Sequence, residues 1–417
     1  MKYNAKKAFP FLISLLFLFP LFKENIVSFI FILVSLNTII YQFQNKSFKR
    51  PKKEILLLTI PFWIVFILSL FYFDGLQSLK PISNSMFFLL FPILFNYIPE
   101  ENFSSDKLNK YINILKNASL LIIVYYLVSF FYNYTIYDFF IVSNNVSKFR
   151  NFVYNELLFF KIHPAYFTTI LVFCTAFSLK EILQKKKWVN LIYVFFFILI
   201  TFLLLTKINI IYLTCLLISF VFFQIKKHFI QKVLVFGLLL GGGSFLVNNT
   251  PGLNERFYEL SVSLTKVPNE FSYNSTNIRV AIYNCDYQII KENFWFGVGF
   301  NNIIDEIERC LNSTYNSSFT NDHNYLSHNY YMYILISGGI FSLLFFLFYL
   351  YTVLKVLLKT NLFICYAFFI NCLTISMIED FFFRAYGLFF FNLIVLMFYK
   401  NNQITGERYI VDESDKE

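Results

Sequence analysis

The residues best able to do chemistry in this sequence are basic, and they gather around one stretch of the chain. Arg256 and Arg279 lie in a long polar segment and His328 near its end; His163 opens an apolar run, Lys207 sits in a short polar turn, and Arg384 follows soon after Glu379. Guanidinium and ammonium groups bind anions, and the planar arginine fork takes phosphate or carboxylate oxygens in pairs. A histidine with an ordinary pKa near about 6.5 exchanges a proton at neutral pH. Each residue also has a plainer structural reading. His163, followed by Pro164, could simply start a helix; Lys207 could reach toward lipid headgroups; Glu379 and Arg384 could form an ion pair. Their concentration on one side of the molecule favours a shared chemical role, because ionisable groups at membrane depth are costly to keep.

The elements that must position them are membrane helices. With 57% hydrophobic and only 14% charged residues over 417 positions, the chain does not have the composition of an ordinary soluble globule. Apolar runs of the length a bilayer requires recur along it. The expected fold is an all-α polytopic membrane protein with about twelve transmembrane helices, at residues 8–22, 25–43, 54–73, 82–98, 113–132, 163–179, 188–205, 208–223, 229–247, 331–354, 361–378 and 385–399. Placing both termini in the cytoplasm puts the Lys-rich and Arg-rich stretches "MKYNAKK", "NKSFKRPKKE", "KEILQKKK" and "IKKH" inside, as the positive-inside rule requires. The net charge of +10 then reflects topology and anionic lipid rather than nucleic acid. The first apolar stretch is expected to be retained as a span, since no small-residue cleavage pattern follows it.

This topology divides the chain into helices 1 to 9 (1–247), a long extracytoplasmic loop (248–330), helices 10 to 12 (331–399) and a cytoplasmic tail (400–417). Within the loop, "STNIRVAIYNCDYQIIKENFWFGVGFNN" reads as an amphipathic helix with Ile278, Ile282, Cys285 and Ile289 on one side, closed by the glycines of "GVG". Gly-rich turns can cradle phosphate, but a lone Gly-x-Gly without a preceding strand and a following helix is more often a plain turn. Trp295 beside it reads as a packing anchor of the loop. Four cysteines fall in spans, whereas Cys285 and Cys310 share the loop, and the sequence leaves open whether they pair. No Cys and His cluster has metal-ligand spacing, so no metal is expected.

Several motifs, in their order, carry a family resemblance. "HPAY" at a span start, a Thr-Lys turn at Thr206 and Lys207, "ERF", "NIRVAIYNCDYQIIKENFWFGVGFNN", "SHNYYMYILISGGIFSLL" and "SMIEDFFFRAYGLFFF" together resemble the O-antigen ligase and polymerase family of polytopic glycosyltransferases, over about residues 160 to 399. Where many of those relatives have a Ser-Arg pair, this chain has Thr206 and Lys207, and a lysine cannot form the bidentate fork.

The resemblance implies a glycan carried on a polyprenyl diphosphate and moved as a block onto an acceptor hydroxyl at the periplasmic face of the bacterial cytoplasmic membrane, with no cofactor. Charge developing on the leaving diphosphate must then be met by protein cations. By that resemblance Arg279 meets the diphosphate and His328 removes the acceptor proton. Arg256, Lys207, His163, Asn329, Glu379 and Arg384 then line the diphosphate and glycan site. Attack opposite the leaving group implies inversion at the anomeric carbon. The acceptor expected first is the lipid A core, which is ligase activity; polymerase activity on lipid-linked repeats and protein glycosylation remain alternatives within the family. A polysaccharide or lipid transporter is the alternative from another class, although the notable residues collect in one loop and its flanks rather than at midplane helix breaks.

Overall fold

The computed structural model describes residues 4–46, 48, 50–73, 75, 79–143, 146–224, 229–264, 266, 268, 274–315, 325–359 and 363–414. The chain is almost wholly helical, as a chain in lipid must be when every backbone N–H and C=O has to find a partner inside its own segment. In order, the helices of more than ten residues among the described residues are α1 (Ala5–Phe17), α2 (Glu24–Asn45), α3 (Ile60–Phe71), α4 (Leu79–Tyr97), α5 (Ser105–Asn133), α6 (Pro164–Lys185), α7 (Asn190–Leu203), α8 (Lys207–Gln224), α9 (Phe229–Asn249), α10 (Leu253–Ser263), α11 (Ser275–Glu292), α12 (Ile303–Thr314), α13 (Tyr330–Leu358), α14 (Phe363–Ile375) and α15 (Ala385–Ser414). Each expected span overlaps one of these helices. Among the described residues, α2, α4, α5, α6 and α13 have both the length and the hydropathy to cross a bilayer, and α3, α7, α8 and α14 are shorter apolar helices.

Two helices form the centre. Residues 164–178 of α6 are buried without interruption, as are residues 387–401 of α15. A helix apolar all round has no face to offer water, so it is enclosed by its neighbours. α5, α7, α8 and α14 pack on α6, while α4 and α13 pack on α15. The C-terminal stretch expected as a solvated tail instead begins as a continuation of α15, with Lys400 and Asn401 buried.

The expected tenth span is also modified. Gly338 (φ −137°, ψ 19°) and Gly339 (φ 65°, ψ −167°) leave helical geometry and break α13 into residues 330–337 and 340–358. The second piece, at 1.5 Å per residue, is about 28 Å long and matches a hydrocarbon core of about 30 Å. The "GVG" turn repairs the break. Val298 N–H donates to Ile336 O and Gly299 N–H to Ser337 O, both at 2.8 Å, while Ile340 N–H donates to Phe294 O at 2.9 Å. Close approach of the two backbones requires glycine here. A Cβ on Gly297 would collide with the backbone of residues 336–338, and one on Gly339 with the carbonyl of Trp295. The Gly297 N–H is likewise used, donating to Asn293 O at 2.9 Å. The turn is therefore a helix splint, and its donors are not free to cradle an anion. Trp295 meets this joint with its backbone carbonyl and, although largely exposed, lays its ring 6.2 Å from that of Phe341 on α13.

Candidate active site

Among its described residues, the 248–330 segment forms α10, α11 and α12, which bring distant residues to the ends of the bundle. On α11, Thr276, Asn277, Ala281, Ile282, Cys285, Asp286 and Ile289 are buried, so the anticipated apolar face is the packed one. Asn274 caps this helix, its side chain accepting from the N–H groups of Thr276 and Asn277. Cys285 and Cys310 form a disulfide with Cα atoms 5.7 Å apart, which clamps α11 to α12.

From α11, Arg279 reaches the connection between α14 and α15. Its Nη2 donates to Glu379 Oε1 at 2.8 Å, and its Nη1 to Ser275 O at 3.3 Å. The other Glu379 oxygen faces His328 Nδ1 at 3.7 Å. Burial alone would raise the Glu379 pKa, but contact with His328 and the charges of Arg279 and His163 outweigh it and hold the carboxyl at about 2. Glu379 thus stands between Arg279 and His328, and Arg279, rather than Arg384, is its ion-pair partner. Arg384 is exposed, its guanidinium 5.9 Å from the Phe383 ring centre.

His328 precedes α13 in a left-handed backbone conformation (φ 49°), unusual for a residue with a side chain. Three contacts hold that turn. Its N–H donates to Asp380 Oδ2 at 3.2 Å, its carbonyl accepts from Tyr283 Oη at 3.1 Å, and the next N–H but one, that of Tyr330, donates to Ser376 O at 2.9 Å. Asn329 caps α13, its side-chain oxygen accepting from the N–H groups of Tyr331 and Met332 at 3.0 and 3.2 Å. That oxygen is committed to the helix end.

A second carboxylate organises the remaining cations. Glu259 on α10 faces Lys207 Nζ at 3.6 Å and Arg256 Nη1 at 3.5 Å, and accepts from the N–H and hydroxyl of Thr276 at 3.2 and 2.8 Å. Lys207 Nζ also donates to Thr276 Oγ1 at 3.1 Å, and Arg256 Nη1 to Ser275 Oγ at 3.0 Å. Residues 275, 276 and 279 therefore join both carboxylate centres through one helix end.

His163 stands at the start of α6, between the rings of Tyr154 and Tyr166 at centroid distances of 5.4 and 5.3 Å. It lies within electrostatic range of Glu379, Arg150, Arg279 and Arg384. The sequence-selected residues are thus brought into one neighbourhood, with Arg384 at its exposed edge.

Four members were not found by sequence reasoning: Arg150, Glu259, Asp286 and Asp380. Arg150 is deeply buried, donates through Nη1 to Leu205 O at 3.0 Å and senses both Arg256 and Arg279; burial first, then those charges, lower its pKa to about 9, which leaves it a cation at neutral pH. It is the one arginine in the 133–162 segment, and that isolation was a usable signal. Glu259 stands three residues after Arg256 on one helix face, a spacing that also could have been read. Nε of Arg256, Nε of Arg279, Nδ1 of His163 and Nδ1 of His328 are buried without a hydrogen-bond partner among the described residues. Buried polar atoms are ordinarily satisfied, so four orphans among neighbouring basic residues suit a polar, anionic ligand.

Residues 192–347 match the family model described as O-antigen ligase. The match holds Lys207, Arg256, Glu259, Arg279, His328 and Asn329, while Arg150, His163, Glu379, Asp380 and Arg384 lie outside it. No curated protein matches the chain. The chain is therefore a membrane-embedded helical protein whose residues 192–347 are similar to the O-antigen ligase family.

Proposed function

We propose that the chain transfers a preassembled glycan from a polyprenyl-diphosphate carrier to a hydroxyl of the lipid A core, at the periplasmic face of the bacterial cytoplasmic membrane. The match of residues 192–347 to the family model supports an O-antigen ligase-type, glycosyltransferase-like activity on lipid-linked glycans in the broad sense. The observation that carries the finer reading is the set of unpartnered nitrogens on Arg256, Arg279, His163 and His328 around two carboxylates.

In this reading Arg279 and Arg256 receive diphosphate oxygens, with Lys207 and Arg150 adding positive charge. Glu259 and Glu379 hold the cations in place before substrate arrives. His328 takes the acceptor proton, and Glu379 facing its Nδ1 stabilises the imidazolium that results. The acceptor oxygen forms a bond to the anomeric carbon as the bond from that carbon to the phosphate oxygen breaks. The electron pair leaves with the polyprenyl diphosphate, the proton stays on His328, and the anomeric centre inverts. His163 and exposed Arg384 contact the glycan or diphosphate from the flank. Asn329 fixes the turn that carries His328. The disulfide supports an oxidising compartment for the long loop, as a periplasmic placement requires.

The test is transfer of a radiolabelled glycan from its polyprenyl diphosphate, with a lipid A core and a lipid-linked repeat offered separately. His328→Ala should lower transfer by about 10²- to 10⁴-fold at unchanged expression. Label on the lipid A core supports ligase activity, and label on the repeat would replace it with polymerase activity. Undiminished transfer by His328→Ala removes the histidine from the chemistry.

A further inference from the structure

Arg150 joins the cation cluster by way of a strained turn. It lies on a short helix, Lys148–Asn151, whose cap Ser147 accepts from the Arg150 N–H through Oγ at 3.3 Å. That helix has a firm base: Phe149, Phe152 and Val153 are buried, and the rings of Phe149 and Phe152 pack on Phe130 of α5 at centroid distances of 5.3 and 5.6 Å. From there Nη1 of Arg150 donates to the carbonyl of Leu205 at 3.0 Å. Leu205 belongs to the connection between α7 and α8, and its φ of 53° is left-handed, a conformation that residues with a side chain rarely take. Its own N–H donates to Phe202 O at 2.9 Å, and Ile210 N–H donates to Thr206 O at 3.0 Å, so the turn passes directly into the first turn of α8. Gly252 closes the junction from a third side: a Cβ there would lie 3.1 Å from the Ser147 nitrogen and 3.2 Å from Leu205 Cδ1.

Just beyond Leu205, Lys207 reaches Glu259 at 3.6 Å and Thr276 Oγ1 at 3.1 Å. Between them Thr206 is buried, and its hydroxyl has no hydrogen-bond partner among the described residues. The carbonyl end of a helix carries partial negative charge, and a cation bonded to a carbonyl there stabilises the chain's exit from the helix. We infer that Arg150 is a positioning residue for the transfer site: by bonding the Leu205 carbonyl it holds the left-handed turn that sets Thr206 and Lys207 in place for the donor diphosphate. This rests on the glycan-transfer reading and deepens it, since Arg150 then acts through a second cation as well as through its own charge. Arg150 stands outside residues 192–347, whereas the turn it holds lies inside them, so a segment beyond the matched region sets the geometry of one within it. A misplacement of about 1 Å at a binding group can cost about 100-fold in rate.

One measurement must therefore be independent of activity. The full chain in lipid nanodiscs is compared with Arg150→Met by hydrogen–deuterium exchange, read in peptides that cover residues 202–210. Amides of the turn should exchange about 10- to 100-fold faster in the variant, the worth of one charge-assisted hydrogen bond, while residues 166–178 of α6 stay unchanged. Exchange that is unaltered at 202–210, or faster by the same factor throughout the chain, overturns the clamp. In the transfer assay Arg150→Met should fall by about 100-fold. Added to Lys207→Met, it should lower transfer by no more than about twofold further, because the cation it positions is already gone. Full additional loss in that background means that Arg150 contributes charge alone and overturns the positioning role, as does wild-type transfer by Arg150→Met. An inactive wild type, with exchange at 202–210 faster in the variant, sinks the transfer reading and leaves the clamped turn standing.

Discussion

Glu379 Oε1 accepts from Arg279 Nη2 at 2.8 Å, which fixes the helix carrying the arginine to the segment joining the last two apolar helices. The carboxylate is held at about 2 against an ordinary 4.5. A carboxyl depressed in the folded protein adds stability above its unfolded pKa, and that stability is lost as pH falls through the folded value. Glu379→Gln should therefore unfold at a lower temperature than the wild type at pH 7, and the gap should close between about pH 4.5 and 2. Thermal unfolding of both proteins in detergent across that range checks the sign; a gap that stays constant would rule out the ion pair as its source.

Arg279→Lys retains a cation for Glu379 but loses the unpartnered Nε and the planar fork. Loss of one charge-assisted hydrogen bond, about 1.5–3 kcal/mol, corresponds to a reduction in transfer of about 10- to 100-fold. The assay is glycan transfer at matched expression, and a rate equal to wild type would show that the fork is not used.

At Gly339 an alanine must take a positive φ and place its Cβ against the carbonyl of Trp295. The expected cost is about 2–5 kcal/mol, from left-handed strain and overpacking together. Gly241, on α9 with nothing within 4 Å of a built Cβ, is the control and should change stability by no more than about 1 kcal/mol on replacement by alanine. Fluorescence-detected thermal unfolding compares the two; equal behaviour would mean that the splint between residues 294–299 and α13 does not form.

The Cys285–Cys310 bridge closes a sequence separation of 25 residues and joins α11 to α12. Replacing both cysteines by serine should destabilise the protein by about 3 kcal/mol. Labelling with a thiol reagent under denaturing conditions, before and after reduction, gives a direct count. Two further thiols appearing only after reduction are expected, and their labelling without reductant would contradict the bridge.

The apolar helices, the buried face of α11 and the basic residues worth attention were legible in the sequence, because hydropathy and helical period are local properties of consecutive residues. The break in α13 was half legible. "SGG" and "GVG" each announce an unusual backbone, but their use of each other depends on a contact between segments some forty residues apart, which no local pattern records. The same limit hid the partner of Glu379. Arg384 is near in sequence, whereas Arg279 is 100 positions away and is brought to 2.8 Å by the packing of α11 beside α13. Arg150 and Asp286 were passed over for a related reason: one is a lone arginine in a short segment, the other a carboxylate on an apolar helix face, and each acquires meaning from what is buried around it. Sequence by itself determined that the chain is a membrane-embedded helical protein and which side chains could carry charge. The tertiary structure decided which charges meet, which remain unpartnered and which turn is strained, because electrostatic energy depends on distance and desolvation, and both are properties of the folded arrangement.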